Sequence, residues 1–261
     1  MIYQFCAKTD PGRARDNNED SLAFDEPTLT AVLADGMGGY NAGEIASGMA
    51  TAFIKSELSR WLTETGDGAK AREVRRAMEI CVDNANRSIF NSANSNAHYA
   101  GMGTTLVVGV FRDERLVLGH IGDSRCYRLR AGMLDQITKD HSLLQEQLDA
   151  GLITVEQAAT SSIKNLVTRA LGVDESVVLE VNEHEVQAGD MYLMCSDGLS
   201  DMIRDDAIFN IVSSEMPLED RAKQLIDAAN ESGGRDNISV LMIEVHETPG
   251  KRGLIARLLG K

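Results

Sequence analysis

The chain has 261 residues, 43% hydrophobic and 25% charged, with four prolines and no Ser/Pro-rich linker, which suits one globular domain with a two-layer core. A formal net charge of −14 argues against nucleic-acid binding, which rests on clustered Lys and Arg. No run approaches the ~18 apolar residues of a membrane span, and Met1–Phe5 has neither the basic region nor the apolar stretch of a signal peptide. Cys6, Cys81, Cys126 and Cys195 lack CxxC spacing, so the expected setting is the cytoplasm, with reduced thiols.

Taken in chain order, Leu29 to Ala34 reads as a short buried strand. From about Asn41 a helix is predicted, with Ile45, Met49, Ala52 and Phe53 at helical spacing; Ser56 interrupts the stripe, and Ile54, Leu58, Trp61 and Leu62 carry an apolar face onward. A second helix is predicted from about Lys70 to Asn91, with Val74, Met78, Cys81, Val82, Ala85 and Ile89 inward. Thr104 to Phe111 reads as a strand, Leu116 to Leu129 as two strands hinged at Gly122-Asp123, and Met191 to Cys195 and Ile238 to Val245 as two more. The segment from Ser142 to Lys164 reads as a helical insert, with one short helix ending at Gly151 and a capping box spelled by Thr154 to Gln157. Long helices beside many strands indicate an α+β sandwich. One domain over 1–246 is expected, with the insert at about 141–165 and a tail over 247–261 carrying Lys251, Arg252, Arg257 and Lys261 without an acid.

Four stretches place an aspartate where an apolar run meets a turn: Ala34-Asp35-Gly36-Met37-Gly38-Gly39, Gly122-Asp123-Ser124-Arg125, Ser196-Asp197-Gly198-Leu199 and Gly234-Arg235-Asp236-Asn237. If the strands share a core, these carboxylates converge at one edge of it. Like charges ~5 Å apart repel by ~3 kcal/mol per pair at an effective dielectric of ~20, so a cation belongs among them. Oxygen ligands without Cys or His select magnesium, manganese or calcium.

These motifs, with Thr9 to Asp20, Gly101-Met102-Gly103-Thr104-Thr105, Thr138-Lys139-Asp140-His141-Ser142 and Thr168-Arg169-Ala170-Leu171-Gly172, stand in one order. In that order the chain resembles the bacterial branch of the metal-dependent serine/threonine protein phosphatases, the PPM or type 2C family, from about Thr9 to Val245. The resemblance implies a central antiparallel β-sandwich flanked by pairs of α-helices, with the insert as a flap beside the active site. It implies hydrolysis of phosphoserine and phosphothreonine in proteins by a hydroxide bridging two Mn2+ or Mg2+ ions, with a third ion possible. By the family motifs Asp35 is the bridging carboxylate and the Gly36 carbonyl a ligand, a role that suits a residue with no side chain to block close approach. The same motifs make Asp197 and Asp236 further ligands, put Glu19 and Asp20 on metal-bound waters, and give Asp123 with Asp197 a third, weaker site; the alternative role for Asp123 is to stabilise the turn after Gly122. Arg15, four residues before Glu19, matches the family's phosphate-binding arginine, whose planar fork can grip two oxygens; Arg13 is the lesser candidate. Asp140 is a lesser candidate than Asp123. Gly38, Gly39, Gly101 and Gly103 suit tight turns and close packing. The implied partners are phosphorylated proteins and a eukaryotic-like kinase whose action is reversed; the expected state is a monomer.

Two departures stand out. Several eukaryotic relatives carry His after the Asp-Gly pair, where this chain has Met37, which cannot protonate a leaving alkoxide; His141 is the first candidate by motif to replace it. Bacterial relatives commonly show His-Pro-x-Arg-Asn in the flap, where this chain has Ser161-Ser162-Ile163-Lys164-Asn165, which bears on flap geometry and substrate preference. His120 reads as structural.

Other chemistries fit less well. Cys81 and Arg87 match a bare Cys-x5-Arg spacing, but Val82 to Asn86 contains no glycine to cradle phosphate and Cys81 lies on an apolar helix face. No dinucleotide fingerprint, Walker A sequence or Gly-x-Ser-x-Gly elbow occurs. A phosphopeptide-binding or regulatory module of the same fold without turnover is the competing class, and an enzyme for a small phosphorylated metabolite a third.

Overall fold

The computed structural model describes residues 1–38, 42–154, 157–158 and 166–248. The departing flap residues Ser161 to Asn165, Gly39 and the tail from residue 249 lie outside that set. In chain order the strands are β1 (Ile2–Asp10), β2 (Asp20–Asp25), β3 (Thr30–Met37), β4 (Gly103–Thr104), β5 (Leu106–Arg112), β6 (Arg115–Ile121), β7 (Arg125–Arg130), β8 (Met133–Gln136), β9 (Glu180–Glu185), β10 (Met191–Cys195) and β11 (Ile238–His246). The described helices are α1 (Ala42–Thr65), α2 (Ala71–Ser95), α3 (Leu143–Asp149), α4 (Asp197–Ser200), α5 (Asp205–Val212) and α6 (Leu218–Glu231).

One sheet runs β1-β11-β10-β7-β8 and the other β2-β3-β5-β6-β9, with β4 attached to β3; the paired strands are antiparallel. Alternation along the strands builds three cores. Ala31 and Leu33 of β3 meet Leu241, Ile243, Tyr192 and Met194 between the sheets. Val32 and Ala34 point the other way, against Ile54, Leu58, Met78 and Ile89 of α1 and α2. Met191, Leu193, Val240 and Met242 cover the opposite outer face with Ile208, Leu225 and Ala229 of α5 and α6. Strands buried on both faces read as unbroken apolar runs, not as alternation. The architecture is the α+β sandwich with flanking helices.

The six inward residues expected of α2 are all buried, and the helix runs on to Ser95. In α1 the inward face differs from the expected one. Ala42, Gly43, Ala46, Ser47, Ala50 and Thr51 are buried, Ile45, Met49 and Phe53 are only partly so, and Ala52 is exposed. Small residues let this helix lie close on the sheet, and a hydrophobicity pattern gives them little weight. The two strands hinged at Gly122 belong to different sheets, so the turn carries the chain from one layer to the other. β3 starts at Thr30, after Leu29 at φ 54°, and continues past Asp35, because β4 pairs with Gly36 and Met37. Asp35 therefore sits within a strand and not at its end. The flap is tied at its base: Leu143 N–H donates to Leu166 O at 2.9 Å, and Ser142 bridges Val167. The Thr154–Gln157 capping box forms, with Thr154 N–H on Gln157 Oε1 at 2.8 Å and Gln157 N–H on Thr154 Oγ1 at 3.3 Å.

Candidate metal centre

A cleft of 260 Å³ at one edge of the sandwich is lined by Arg15, Glu19, Asp35, Gly36, Met37, Gly38, Thr105, Asp123, Val167, Asp197 and Asp236. Seven of the eight site residues expected from sequence thus share one surface. Asp20, the eighth, lies behind the wall, opposite Asp35 in the β2–β3 register. Its Oδ2 accepts from Ser196 Oγ at 2.8 Å, while Oδ1 is buried without a hydrogen-bond partner.

Separate elements deliver these groups. Asp123 sits in the turn between β6 and β7, Asp197 opens α4 directly after β10, and Asp236 precedes β11. Asp35 is gripped through its backbone: its N–H donates to Thr105 Oγ1 at 3.0 Å, and its carbonyl accepts from Thr104 Oγ1 and Thr105 N–H, each at 2.8 Å. Asn237, to which the sequence alone assigns no role, organises the loop bearing Arg15 and Glu19. Its Oδ1 accepts from Glu19 N–H at 2.8 Å, and its Nδ2 donates to Asn17 O at 2.8 Å and Pro11 O at 3.0 Å. A polar residue adjoining a predicted ligand was the signal available.

Gly36 is glycine for a packing reason beyond ligand access. A Cβ there would meet Gly43 O of α1 at 2.2 Å and Glu19 O at 2.5 Å. At Gly198 a Cβ would meet Asn237 O at 1.9 Å. Backbone from two layers closes directly on these positions, which fixes Asp35 and Asp197 relative to each other.

The electrostatics call for a cation. Burial, then Asp20, Asp197, Asp123 and Asp236, push Asp35 well above the usual carboxylate range; burial, then Asp123, Asp201 and Asp236, do the same to Asp197. Burial pushes Asp20 and Asp123 each to about 6, and raises Glu19 despite Arg15. Among the described residues lining the cleft, Arg15 is the only cation, and its Nη2 is 2.8 Å from Asp236 Oδ2. An all-oxygen donor set, mutual repulsion and the orphaned Asp20 oxygen fit hard divalent ions with bound water.

Other candidates fall outside the cleft. Asp140 is an ion-pair partner, holding Arg125 through Nε at 3.0 Å and Nη2 at 2.7 Å. Arg13 anchors by its backbone, N–H to Gly234 O at 2.6 Å. His141 is buried and does not line the cleft, so it is not placed to protonate a leaving group there. With His120 and Glu180 it forms a group whose ligand atoms lie within 4.8 Å of one another, but these atoms are already engaged. His120 Nε2 meets Lys139 O at 2.8 Å, His141 Nδ1 accepts from Gly122 N–H at 3.2 Å and His141 Nε2 meets Glu180 Oε2 at 3.2 Å, with Arg169 Nη1 3.5 Å away. A guanidinium at that distance disfavours a metal ion. Cys81 is buried on the inner face of α2 and Arg87 pairs with Asp83 at 3.2 Å, so no thiolate phosphate loop forms.

An oxygen-ligand cleft with an arginine on its wall, at the edge of a sandwich flanked by helices, defines a metal-dependent phosphohydrolase centre. The family model described as protein phosphatase 2C matches residues 13–239, and the chain belongs to that family. It is 37% identical over 240 residues to the serine/threonine phosphatase stp of Listeria innocua, covering 91% of this chain and 94% of that protein. Its fold superposes on the serine/threonine phosphatase PstP/Ppp of Mycobacterium tuberculosis with a TM-score of 0.87 at 36% identity, covering 95% of this chain and 100% of that one. A catalytic domain of PstP in complex with two manganese ions matches with a TM-score of 0.82 at 37% identity, covering 94% and 99%.

Proposed function

We propose that this chain is a metal-dependent phosphatase of phosphoserine and phosphothreonine in proteins, working at the cleft between Arg15 and Asp197. The observation that carries the reading is the convergence of Asp35, Asp123, Asp197, Asp236 and Glu19 on one wall together with Arg15. Asp35, with the Gly36 carbonyl, Asp197 and Asp236, would hold two Mn2+ or Mg2+ ions; Asp123 with Asp197 would hold a third, and Glu19 and Asp20 would act through water. The two manganese ions bound by PstP support the first two of these. When bound, such ions supply a water of lowered pKa and neutralise charge on the phosphoryl group.

Arg15 supplies orientation. Its half-exposed guanidinium can turn from Asp236 to two phosphoryl oxygens, fixing the phosphorus against the carboxylate wall. Met37 and Val167 line the cleft without titrating, and no imidazole lines it among the described residues, so the proton for the departing alkoxide would come from a metal-bound water or from another group of the cleft. The reaction that produces such a substrate is transfer of phosphate to protein hydroxyls, the work of a serine/threonine kinase, which this enzyme would reverse. Four buried free cysteines support a reducing, cytoplasmic setting. The chain is expected to act as a monomer, in one catalytic domain over 1–246 with the flap beside the cleft.

The test is release of inorganic phosphate from a phosphothreonine peptide with manganese, with magnesium and with chelator. The proposal expects metal-dependent release that chelator abolishes. Binding of the peptide by folded protein with no release under either metal would instead support the non-catalytic module. Faster turnover of a sugar phosphate than of the peptide at equal concentration would support the metabolite enzyme.

A further inference from the structure

His141 is the point where the flap joins the metal centre. Its backbone N–H donates to Gly122 O at 2.8 Å, and its Nδ1 accepts from Gly122 N–H at 3.2 Å, so one residue holds both backbone groups of the glycine before Asp123. Its carbonyl accepts from Thr168 N–H at 2.8 Å, on the segment that leaves the flap next to the cleft-lining Val167. The ring is fixed on its other sides as well. It stacks on His120 at 4.6 Å and 13°, and with Nδ1 accepting, its proton is on Nε2 and faces Glu180 Oε2 at 3.2 Å.

The turn it holds has little freedom to choose another path. Gly122 sits at φ +100°, and a Cβ there would meet Thr105 Cγ2 at 2.7 Å. Thr105 Oγ1 in turn lies 2.7 Å from Ser124 Oγ and accepts from Asp35 N–H at 3.0 Å. Residues on either side of Asp123 are therefore wedged between His141 and the threonine that grips Asp35, and Asp123, 8% exposed, lines the cleft.

We propose that His141 is a positioning residue for the metal centre, its Nδ1 holding the Gly122–Asp123 turn so that the flap base and the Asp123 carboxylate keep one register. This rests on the reading of Asp123 as a metal-site carboxylate. The role needs an acceptor at the Nδ1 position and not a titrating ring. Asn places Oδ1 near Nδ1, whereas Gln reaches the Nε2 position and leaves Gly122 N–H without a partner.

The experiment compares His141→Ala, His141→Asn, His141→Gln and Asp123→Asn with the unaltered protein by Mn2+ titration calorimetry, kcat and KM on a phosphothreonine peptide, and hydrogen exchange at Gly122. His141→Ala and His141→Gln are expected to weaken the weakest Mn2+ site and lower kcat by about 10-fold or more, in the range of lost outer-sphere partners of metal ligands, and to speed exchange at Gly122. His141→Asn is expected to restore all three. An unchanged isotherm and kcat in folded His141→Ala, or Gln restoring them as well as Asn, would overturn the proposal. If His141→Ala does not fold, the Asn and Gln variants decide it. If Asp123→Asn itself leaves the isotherm and kcat unchanged, the reading of Asp123 has failed, and Gly122 exchange separates the two: fast in Gln and slow in Asn supports positioning of the turn, equal rates overturn it.

Discussion

Arg15 and Asp236 form a 2.8 Å ion pair in the cleft, between the group proposed to bind phosphate and a group proposed to bind metal. The arginine side chain is 54% exposed, and an ion pair so open to water contributes at most about 1 kcal/mol. Both partners can exchange it for stronger ones, the carboxylate for a cation and the guanidinium for a phosphoryl group. Arg15→Ala is therefore expected to change unfolding free energy by less than about 1 kcal/mol. Loss of a charge-assisted bidentate contact should nevertheless lower kcat/KM by about 10- to 100-fold. Urea unfolding beside steady-state kinetics on one phosphopeptide checks both.

The raised carboxylates set a pH dependence for the metal-free protein. Asp20 and Asp123, each held at about 6 by burial, bind protons more readily folded than unfolded, where an aspartate titrates near ~3.9. Their contribution to stability is fully present below the unfolded value and is lost as pH rises through about 6. Asp35 and Asp197 are shifted in the same direction. Chelator-treated protein should thus gain stability from these groups on acidification from neutrality toward pH ~4. Saturating Mn2+ should stabilise at neutral pH, by about 2.7 kcal/mol at a hundred times Kd, and that gain should shrink as protons compete. Thermal melts across pH, with metal and with chelator, measure this; parallel curves would contradict it.

Gly36 and Gly198 make a third case. At both, an added methyl meets backbone oxygen and not a movable side chain, at 2.2 and 1.9 Å. Gly36→Ala and Gly198→Ala should each cost about 3 kcal/mol or more, at or beyond the usual overpacking range, because β3 must part from α1, or α4 from the Asn237 loop. Gly48, whose added Cβ meets nothing within 4 Å, is the control: Gly48→Ala should be neutral or stabilising by up to about 1 kcal/mol. Chemical denaturation of the three variants tests the contrast.

The strands buried on both faces were legible because each is a dense apolar run, as at Met191–Cys195, where the predicted and observed bounds coincide. β1 and β2 were not legible: Ile2–Asp10 alternates weakly and carries Gln4, Lys8 and Thr9, and its place comes from pairing with β11, more than two hundred positions later in the chain. α6 carries a legible signal that the sequence reading does not use, with Leu218, Ala222, Leu225, Ile226 and Ala229 at helical spacing on its buried face. At the site, seven of eight residues meet on one wall because their motifs are local and contain their own turn chemistry. What sequence did not expose is tertiary: Asn237 tying the Arg15 loop, Asp20 lying behind Asp35, and His141 bonding to Gly122 and not facing the cleft.

The most direct test of the proposed centre is anomalous diffraction from crystals grown with Mn2+. The account predicts two strong peaks in the cleft, about 3.5–4 Å apart, with the Asp35 carboxylate between them, the Gly36 carbonyl on one ion and Asp197 and Asp236 in contact. A cleft without peaks at saturating Mn2+, or manganese found instead among His120, His141 and Glu180, would contradict it.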